Sequence, residues 1–168
     1  GSEMCIRDRI FTHYRSIGAA TDLPLFIYHL SIVNSLSLSG EEYAKRILAL
    51  PNIAGMKITD RDLFLFGLIH THGGGKLKLF SGADEVMCQA VLSGSVGAIG
   101  TFYNLWGAEC KKAREATAAG DIDTGRKFML CFQAAIADVV GSGGMWTFLT
   151  AAMRVKHGID VGLPRAPL

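Results

Sequence analysis

The stretch Ile53-Ala54-Gly55-Met56-Lys57-Ile58 is a short apolar run with one charged residue inside it. An apolar run of this length is typical of a buried β-strand. Runs of the same kind predict three more strands, at Leu25–Leu30, Leu77–Ser81 and Gly97–Thr101. We therefore expect a sheet of four strands.

Segments with helical periodicity separate these strands. They predict helices over Ile10–Ala20, from the capping box Ser39-Gly40-Glu41-Glu42 to about Leu50, over Asp62–Thr71 with a cap at Asp60, and over about Glu85–Ser93. Beyond Tyr103 the pattern predicts helices only, over about Gly107–Ala119, Asp123–Val140 and Met145–His157. Strands that alternate with helices form βαβ units, so the four strands are predicted to be parallel.

Two architectures contain a parallel sheet of this kind. An open doubly wound sheet that binds dinucleotides carries a Gly-x-Gly-x-x-Gly loop after a strand. This sequence has no such loop. The other candidate is a (β/α)₈ barrel, in which the chemistry gathers at the carboxyl ends of the strands. The side chains that follow each strand are therefore the candidates for function.

The composition excludes several functional classes. Of 168 residues, 49% are hydrophobic and 19% are charged, which is too apolar for a disordered chain. A formal net charge of +2 from scattered residues offers no basic patch for nucleic acid. The longest uncharged stretch, Val86–Ala108, contains four Gly, two Ser, a Gln and an Asn, so it indicates buried core rather than a membrane span.

The cysteine pattern bears on the compartment of the protein. The four cysteines share no Cys-x-x-Cys spacing; they are Cys5, Cys88, Cys110 and Cys131. Cysteines without such a framework are most simply reduced thiols of a cytosolic protein. We therefore predict a cytoplasmic protein.

Lys57 is the most informative candidate residue. Of the eight lysines, it alone lies inside an apolar strand. Burial lowers the pKa of an ammonium group, so a buried lysine amine can attack a carbonyl and form a Schiff base. Such an adduct is an electron sink for cleaving a carbon–carbon bond. A lysine that snorkels to solvent or forms a buried salt bridge explains the same pattern, and the pattern alone does not decide between these interpretations.

Polar side chains follow the other predicted strands as well. Tyr28 could supply a phenol for proton transfer, although an aromatic residue at a strand end is also common in the absence of any chemistry. Asp84 and Glu85 could accept hydrogen bonds from substrate hydroxyls, but carboxylates are also favoured at a helix start by the helix dipole. The other polar residues at these strand ends are His29, Thr59, Thr101, Tyr103 and Asn104.

The sequence predicts no metal site. The string His70-Thr71-His72 could ligate a metal, but it lies at a predicted helix end beside three glycines. No cysteine or carboxylate partner has a suitable spacing. A solvated helix terminus is the simpler interpretation.

Four strings of residues, taken in order, resemble a known family. They are Ile27-Tyr28-His29, Gly55-Met56-Lys57-Ile58-Thr59, Ser81-Gly82-Ala83-Asp84-Glu85 and Gly97-Ala98-Ile99-Gly100-Thr101-Phe102-Tyr103-Asn104. Their order and spacing are similar to the sialic acid (N-acetylneuraminate lyase) branch of the class I pyruvate-dependent aldolases, a family that includes dihydrodipicolinate synthase. The third and fourth strings are fairly specific for the sialic acid branch, whereas the lysine string marks only the superfamily.

The resemblance implies roles for individual residues. Lys57 matches the lysine that forms the Schiff base, and Tyr28 matches the tyrosine that shuttles a proton during cleavage. Five residues match positions that contact the substrate, namely Thr59, Gly82, Asp84, Glu85 and Thr101. The implied reaction is the reversible cleavage of N-acetylneuraminate to N-acetylmannosamine and pyruvate. It implies no metal and no organic cofactor, since the lysine carries the substrate.

The resemblance also implies that this chain contains only part of a barrel. The family carries a Gly-[Ser/Thr]-Thr-Gly-Glu loop that holds the substrate carboxylate, and this sequence has no such string. We therefore expect the C-terminal half of a (β/α)₈ TIM barrel, comprising strands five to eight and the C-terminal helices. Residues 1–9 are interpreted as a tag or an artefactual leader, or alternatively as a real, polar helix start. Residues 10–106 are interpreted as a half-barrel carrying the active-site strands, and residues 107–168 as a helical region of the same domain.

Two further expectations concern the loop after Tyr28 and the association of the chain. The family usually continues the tyrosine strand with a proline, whereas His29–Asn34 contains none, which bears on substrate preference. A half-barrel exposes unpaired strand edges, so we expect a homo-oligomer. The other expected partners are small-molecule substrates, and neither nucleic acid nor a membrane is expected to bind.

Two alternatives to a sialic acid lyase stay open. One is a 2-keto-3-deoxy sugar acid aldolase or a dihydrodipicolinate synthase-like enzyme, against which the adjacent Asp84 and Glu85 argue. The other is a half-barrel without catalysis that has only a structural or assembly role.

Overall fold

The computed structural model describes residues 2–31 and 38–166, and these form two compact units, Gly1–Ile99 and Gly100–Leu168. Part of the His29–Asn34 stretch, where the sequence departs from the family pattern, therefore lies outside the described residues. The same is true of the last two residues of the chain.

The first unit is built around a four-stranded parallel sheet with the strand order β1-β2-β3-β4. The strands are β1 Leu25–Leu30, β2 Ile53–Thr59, β3 Lys78–Ser81 and β4 Gly97–Ala98. The helices of this unit are α1 Ser2–Ala19, α2 Gly40–Leu48, α3 Leu63–Gly73 and α4 Met87–Leu92, with a short 3₁₀ helix over Asp84–Val86. The predicted parallel sheet of an α/β protein is confirmed.

One face of this sheet packs into the core of the unit. Because side chains alternate along a strand, every second residue points to the same face. Met56 and Ile58 of β2 are 0% and 1% exposed, and Leu79 of β3 is 0% exposed. They pack in one cluster with residues of the helices, which include Ile47 of α2 and Phe66 of α3.

The helix ends follow from local capping chemistry. Ser39 begins α2 as predicted, since its hydroxyl accepts a hydrogen bond from the Glu42 backbone N–H. The predicted cap of α3 at Asp60 is wrong: Asp62 accepts the hydrogen bond from the Leu65 N–H instead. At the end of α3, Gly74 adopts a left-handed conformation with φ 56°, which favours glycine.

Several predicted boundaries differ from the structure. Helix α1 begins at Ser2 rather than Ile10, since no Gly or Pro interrupts residues 2–17. The predicted helix over Glu85–Ser93 is divided into the 3₁₀ helix and α4. The fourth strand pairs over only two residues, so it is shorter than the predicted Gly97–Thr101.

The second unit consists of three helices, α5 Tyr103–Ala118, α6 Ile122–Gly141 and α7 Met145–His157. Helix α5 starts before the predicted Gly107 and has a kink at Trp106, whose φ of −119° and ψ of 30° are not helical. Aromatic rings fill the interior around this kink; Phe102 stacks on Trp106, and Phe132 meets Trp106 edge-on. Among residues 2–31 and 38–166, no helix is long and apolar enough to cross a membrane.

Candidate active site

The sheet brings the two predicted catalytic residues together. In the register of β1 and β2, Tyr28 lies beside Lys57, and Leu30 lies beside Thr59. The Lys57 Nζ is 4.4 Å from the centroid of the Tyr28 ring, within the range of a cation–π interaction. This pair lies on the face of the sheet opposite Met56 and Ile58, and we call that side the open face.

Lys57 is less buried than its apolar neighbours predict. Its side chain is half-buried and Tyr28 is 44% exposed, because both residues lie on the open face. The apolar run that surrounds Lys57 in sequence faces the other way. Its partner in the structure is an aromatic ring rather than the carboxylate of a buried salt bridge.

Gly82 makes room for this pair at the end of β3. A Cβ at this position would collide with the Thr59 Oγ1 and would lie 2.7 Å from the Lys57 Cε. The Gly82 N–H also donates a 2.8 Å hydrogen bond to the Ile58 carbonyl, so the backbone continues alongside β2. Gly82 therefore permits the close approach of the third strand end to Lys57 and Thr59.

The Thr59 hydroxyl is oriented towards the same place. Its Oγ1 is buried and has no hydrogen-bond partner among the described residues. Buried hydroxyls normally have a partner, because an unmade hydrogen bond costs about 1–3 kcal/mol. An unpartnered hydroxyl beside Lys57 can accept or donate a hydrogen bond to a ligand.

The two acidic residues after β3 have different surroundings. Asp84 begins the 3₁₀ helix and is only 6% exposed. The Glu85 Oε1 accepts a 2.7 Å hydrogen bond from the Arg61 Nε, and the Arg61 side chain is 80% exposed. Part of the hydrogen-bonding capacity of Glu85 is therefore already used by an arginine that sequence reasoning missed.

The predicted contact residue Thr101 belongs to the second unit, where it borders a cavity of about 330 Å³. Its carbonyl accepts a 2.8 Å hydrogen bond from the Asn104 side-chain amide. The cavity is otherwise mainly apolar and is lined by Trp146, Leu149, Thr150, Met153, Val161, Leu163 and Pro164. The spacing of Trp146, Thr150 and Met153 on one face of α7 is a signal that sequence reasoning did not use.

His29 does not join Tyr28 on the open face. It is 4% exposed and lies on the buried face, although the two residues are adjacent in sequence. Its Nδ1 is 2.9 Å from the Tyr43 hydroxyl, and its Nε2 is 3.8 Å from the Asp60 Oδ2. Burial lowers the pKa of His29, and the nearby Asp60 carboxylate opposes part of this effect.

Two tyrosine hydroxyls accompany β1. Burial raises the pKa of Tyr43 and that of Tyr14, so both phenols are protonated at neutral pH. The Tyr14 hydroxyl donates a 3.3 Å hydrogen bond to the Tyr28 carbonyl. Sequence reasoning missed both tyrosines, and no motif marks them.

Within the described parts of the chain, no three His, Cys, Asp or Glu side chains are grouped as they would be to hold a metal ion. His70 packs its ring against Gly94, where a Cβ would collide with the imidazole. His70 therefore has a structural explanation, and His72 is exposed near the end of α3.

Comparisons with known proteins show which sequences and folds the chain is similar to. The N-acetylneuraminate lyase of Homo sapiens is 29% identical over 165 residues, which are 96% of this chain and 52% of that protein. The solved structure of Proteus mirabilis N-acetylneuraminate lyase is similar with a TM-score of 0.81 and 29% identity, over 96% of this chain and 54% of that one. The N-acetylneuraminate lyase from Fusobacterium nucleatum is similar in fold, with a TM-score of 0.84 at 24% identity, over 96% of this chain and 54% of that one.

The chain thus spans about half the length of the curated relatives it matches. A sequence model described as the dihydrodipicolinate synthetase family matches residues 7–168. That match covers nearly the whole chain and includes all four strands of the sheet. The chain therefore belongs to the dihydrodipicolinate synthetase family.

Proposed function

We propose that this chain carries the Schiff-base lysine of a class I pyruvate-dependent aldolase that cleaves N-acetylneuraminate to N-acetylmannosamine and pyruvate. The observation that carries the proposal is the position of the Lys57 Nζ, 4.4 Å from the Tyr28 ring at the carboxyl ends of two parallel strands. Family membership and the sialic acid lyase relatives support the same reaction class.

In the proposed reaction the amine of Lys57 attacks the keto carbon of the open-chain sugar acid. Loss of water leaves a protonated imine, which withdraws electrons from the neighbouring carbon–carbon bond. Tyr28, whose phenol has given its proton to the departing water, accepts the proton of the hydroxyl group on the carbon β to the former ketone while that bond breaks. The electrons of the broken bond form an enamine, the aldehyde product leaves, and protonation and hydrolysis release pyruvate and the free lysine.

The remaining predicted residues would hold the substrate. The buried hydroxyl of Thr59 lies beside Lys57 across from Gly82, within reach of atoms near the keto carbon. Carboxylates accept several hydrogen bonds, so Asp84 and Glu85 suit the hydroxyls of a sugar chain. Thr101 borders the cavity of the second unit, and its contact with substrate stays a prediction of the family resemblance.

We further infer that the chain corresponds to the C-terminal half of a (β/α)₈ barrel. The shared half-length with its relatives and the four consecutive parallel strands support this assignment. The loop that binds the substrate carboxylate would then belong to the other half, so the 168-residue chain alone is expected to lack useful lyase activity. Exposed strand edges favour a homo-oligomer, which we propose to be cytoplasmic.

The proposed Schiff base is tested by trapping it. Reduction with borohydride in the presence of pyruvate should add one pyruvyl group, and peptide mass mapping should locate it at Lys57. Lys57→Ala should abolish the adduct. Lys78→Ala is the matched control, because Lys78 is exposed on the neighbouring strand β3 and should not affect labelling. Equal labelling of the wild type and Lys57→Ala would refute the assignment.

One observation favours the alternative of a 2-keto-3-deoxy sugar acid aldolase. The Arg61–Glu85 ion pair occupies one oxygen of a carboxylate that a polyol would need. A shorter acceptor would make less use of Glu85. Identifying the products formed with different aldehydes, in a form of the protein that contains the complete barrel, separates the two substrates.

A further inference from the structure

A group of three polar side chains lies on the buried face of the sheet, directly beneath the catalytic pair. His29 of β1 is 4% exposed and Tyr43 of α2 is 3% exposed. The His29 Nδ1 and the Tyr43 hydroxyl are 2.9 Å apart, and the His29 Nε2 and the Asp60 Oδ2 are 3.8 Å apart. The proposed reaction uses none of these three groups, which we call the His29 network.

The hydrogen-bonding roles in this network follow from its surroundings. The phenol of Tyr43 is protonated, and in the tautomer with the ring proton on Nε2 its O–H donates to the Nδ1 of a neutral imidazole. The proton of that imidazole is then on Nε2, which points to the Asp60 carboxylate. The Nδ1 therefore has a hydrogen-bond partner, whereas the Nε2 faces the Asp60 carboxylate at 3.8 Å, which is longer than a hydrogen bond.

The network connects the two strands that carry the catalytic pair. His29 directly follows Tyr28, and Asp60 directly follows Thr59, two residues beyond Lys57. The other oxygen of Asp60 accepts a 2.9 Å hydrogen bond from the Asp62 N–H, which ties it to the start of α3. Tyr43 is held by an edge-on contact between its ring and that of Phe11, with centroids 6.2 Å apart. The imidazole thus bridges a helix and the end of β2.

We propose that His29 is a positioning residue, which fixes the ends of β1 and β2 relative to each other and so sets the contact between Tyr28 and Lys57. Neighbouring residues of a strand point to opposite faces, so a side chain anchored on the buried face determines the orientation of the residue beside it. A misplacement of about 1 Å between reacting groups can lower a rate by about a hundredfold. The inference rests on the proposed function, since only that function gives the Tyr28–Lys57 contact a role in catalysis.

The first test measures the rate of borohydride trapping of pyruvate at Lys57 in the full chain. His29→Phe removes both polar atoms, and Tyr43→Phe removes a single oxygen, so the second variant serves if the first fails to fold. Each should lower the trapping rate at least about tenfold. His29→Asn retains an acceptor near the Nδ1 position and should restore part of that rate.

The matched control is Ile58→Val. Ile58 lies beside His29 in the strand register and is 1% exposed, so its shortening loosens the same buried face without removing a polar contact. It should lower the thermal midpoint but change the trapping rate less than about twofold. If this control and His29→Phe reduce trapping equally for the same loss of thermal midpoint, His29 is only structural and the inference is wrong.

The second test does not need the reaction. NMR spectra of protein with ¹³C- and ¹⁵N-labelled lysine should show Lys57 Cε and Nζ chemical shifts displaced by the ring current of Tyr28. The Lys57 signals are identified by their loss in Lys57→Arg. His29→Phe and Tyr43→Phe should remove at least about half of that displacement, whereas Ile58→Val should retain it.

The two tests separate the inference from the function on which it rests. A wild type that shows the lysine displacement and loses it in the variants, but traps no pyruvate, would refute the Schiff base and leave the positioning role intact. If the wild type traps pyruvate, and His29→Phe and Tyr43→Phe trap it at the same rate, the positioning role is refuted and the Schiff base stands.

Discussion

The two faces of the sheet use alternate residues of the same strands for opposite purposes. On the buried face Met56 and Ile58 are almost completely inaccessible, and apolar burial stabilises the unit. On the open face Lys57 is half-buried, and Tyr28 beside it is 44% exposed. A two-residue period thus lets one strand contribute to the core on one face and to the proposed chemistry on the other.

Large and small residues also alternate on the open face. The Phe26 and Phe80 rings meet edge-on with centroids 5.8 Å apart. Each covers a glycine: a Cβ at Gly55 would lie 2.8 Å from the Phe26 ring, and one at Gly97 would lie 2.7 Å from the Phe80 ring. The open face is therefore packed locally, although its tyrosine and lysine remain accessible.

The largest contrast is expected between neighbouring residues of β2. Met56→Asp places an unpaired charge in the core and should cost more than about 4 kcal/mol, enough to unfold many domains. Lys57→Met should change the free energy of unfolding by less than about 1 kcal/mol, the size of an exposed cation–π contact, and should abolish pyruvate trapping. Urea unfolding and mass spectrometry measure the two effects. A Lys57→Met variant as unstable as Met56→Asp would show that the faces do not differ in this way.

A smaller effect is expected from Gly82→Ala, which tests how tightly the open face is packed. The added methyl group would collide with Thr59 and displace Lys57. We expect the free energy of unfolding to fall by about 1–3 kcal/mol and the trapping rate to fall at least about tenfold. Gly67→Ala in α3 is the control, since a Cβ there meets nothing within 4 Å and should stabilise the helix by about 0.5–1 kcal/mol. Equal trapping by the two variants would show that the close approach at Gly82 does not matter.

The smallest effect is a pH dependence that originates on the buried face. Burial lowers the pKa of His29 below that of an unfolded histidine, which is about 6.5. The unfolded state therefore binds the proton more readily, and stability should fall as the pH is lowered from about 7.5 to about 5.5. The midpoints of urea unfolding at these two pH values measure the effect. The difference between the two midpoints should be smaller in His29→Asn than in the wild type. Carboxylates such as Glu42, whose pKa is lowered by its hydrogen bond with Arg46, contribute only in a more acidic range.

The alternation of strands and helices was predictable because each strand is a short apolar run and each helix has a recognisable start or stop. The family was predictable for a different reason. The strings around Lys57 and Asp84 keep a fixed order and spacing, and the match over residues 7–168 confirms the resemblance. The roles of the site residues and the truncation of a barrel stay predictions.

What the sequence could not provide depends on contacts between distant segments. Nothing near Glu85 in sequence indicates Arg61, and nothing near His29 indicates Tyr43, because these pairs form only when the helices pack on the sheet. The sequence left the burial of Lys57 undecided for a related reason. An apolar run shows that one face of a strand is covered, but it does not show whether the other face is covered too.

The aromatic contact of Lys57 has a consequence for the charge of the proposed reaction. An ammonium group bears a positive charge, and so does the protonated imine that replaces it. The face of a tyrosine ring attracts either cation, whether or not the phenol keeps its proton. The same ring can therefore hold the nitrogen before and after the adduct forms, so no ion pair has to be broken when substrate enters and none has to be rebuilt when product leaves.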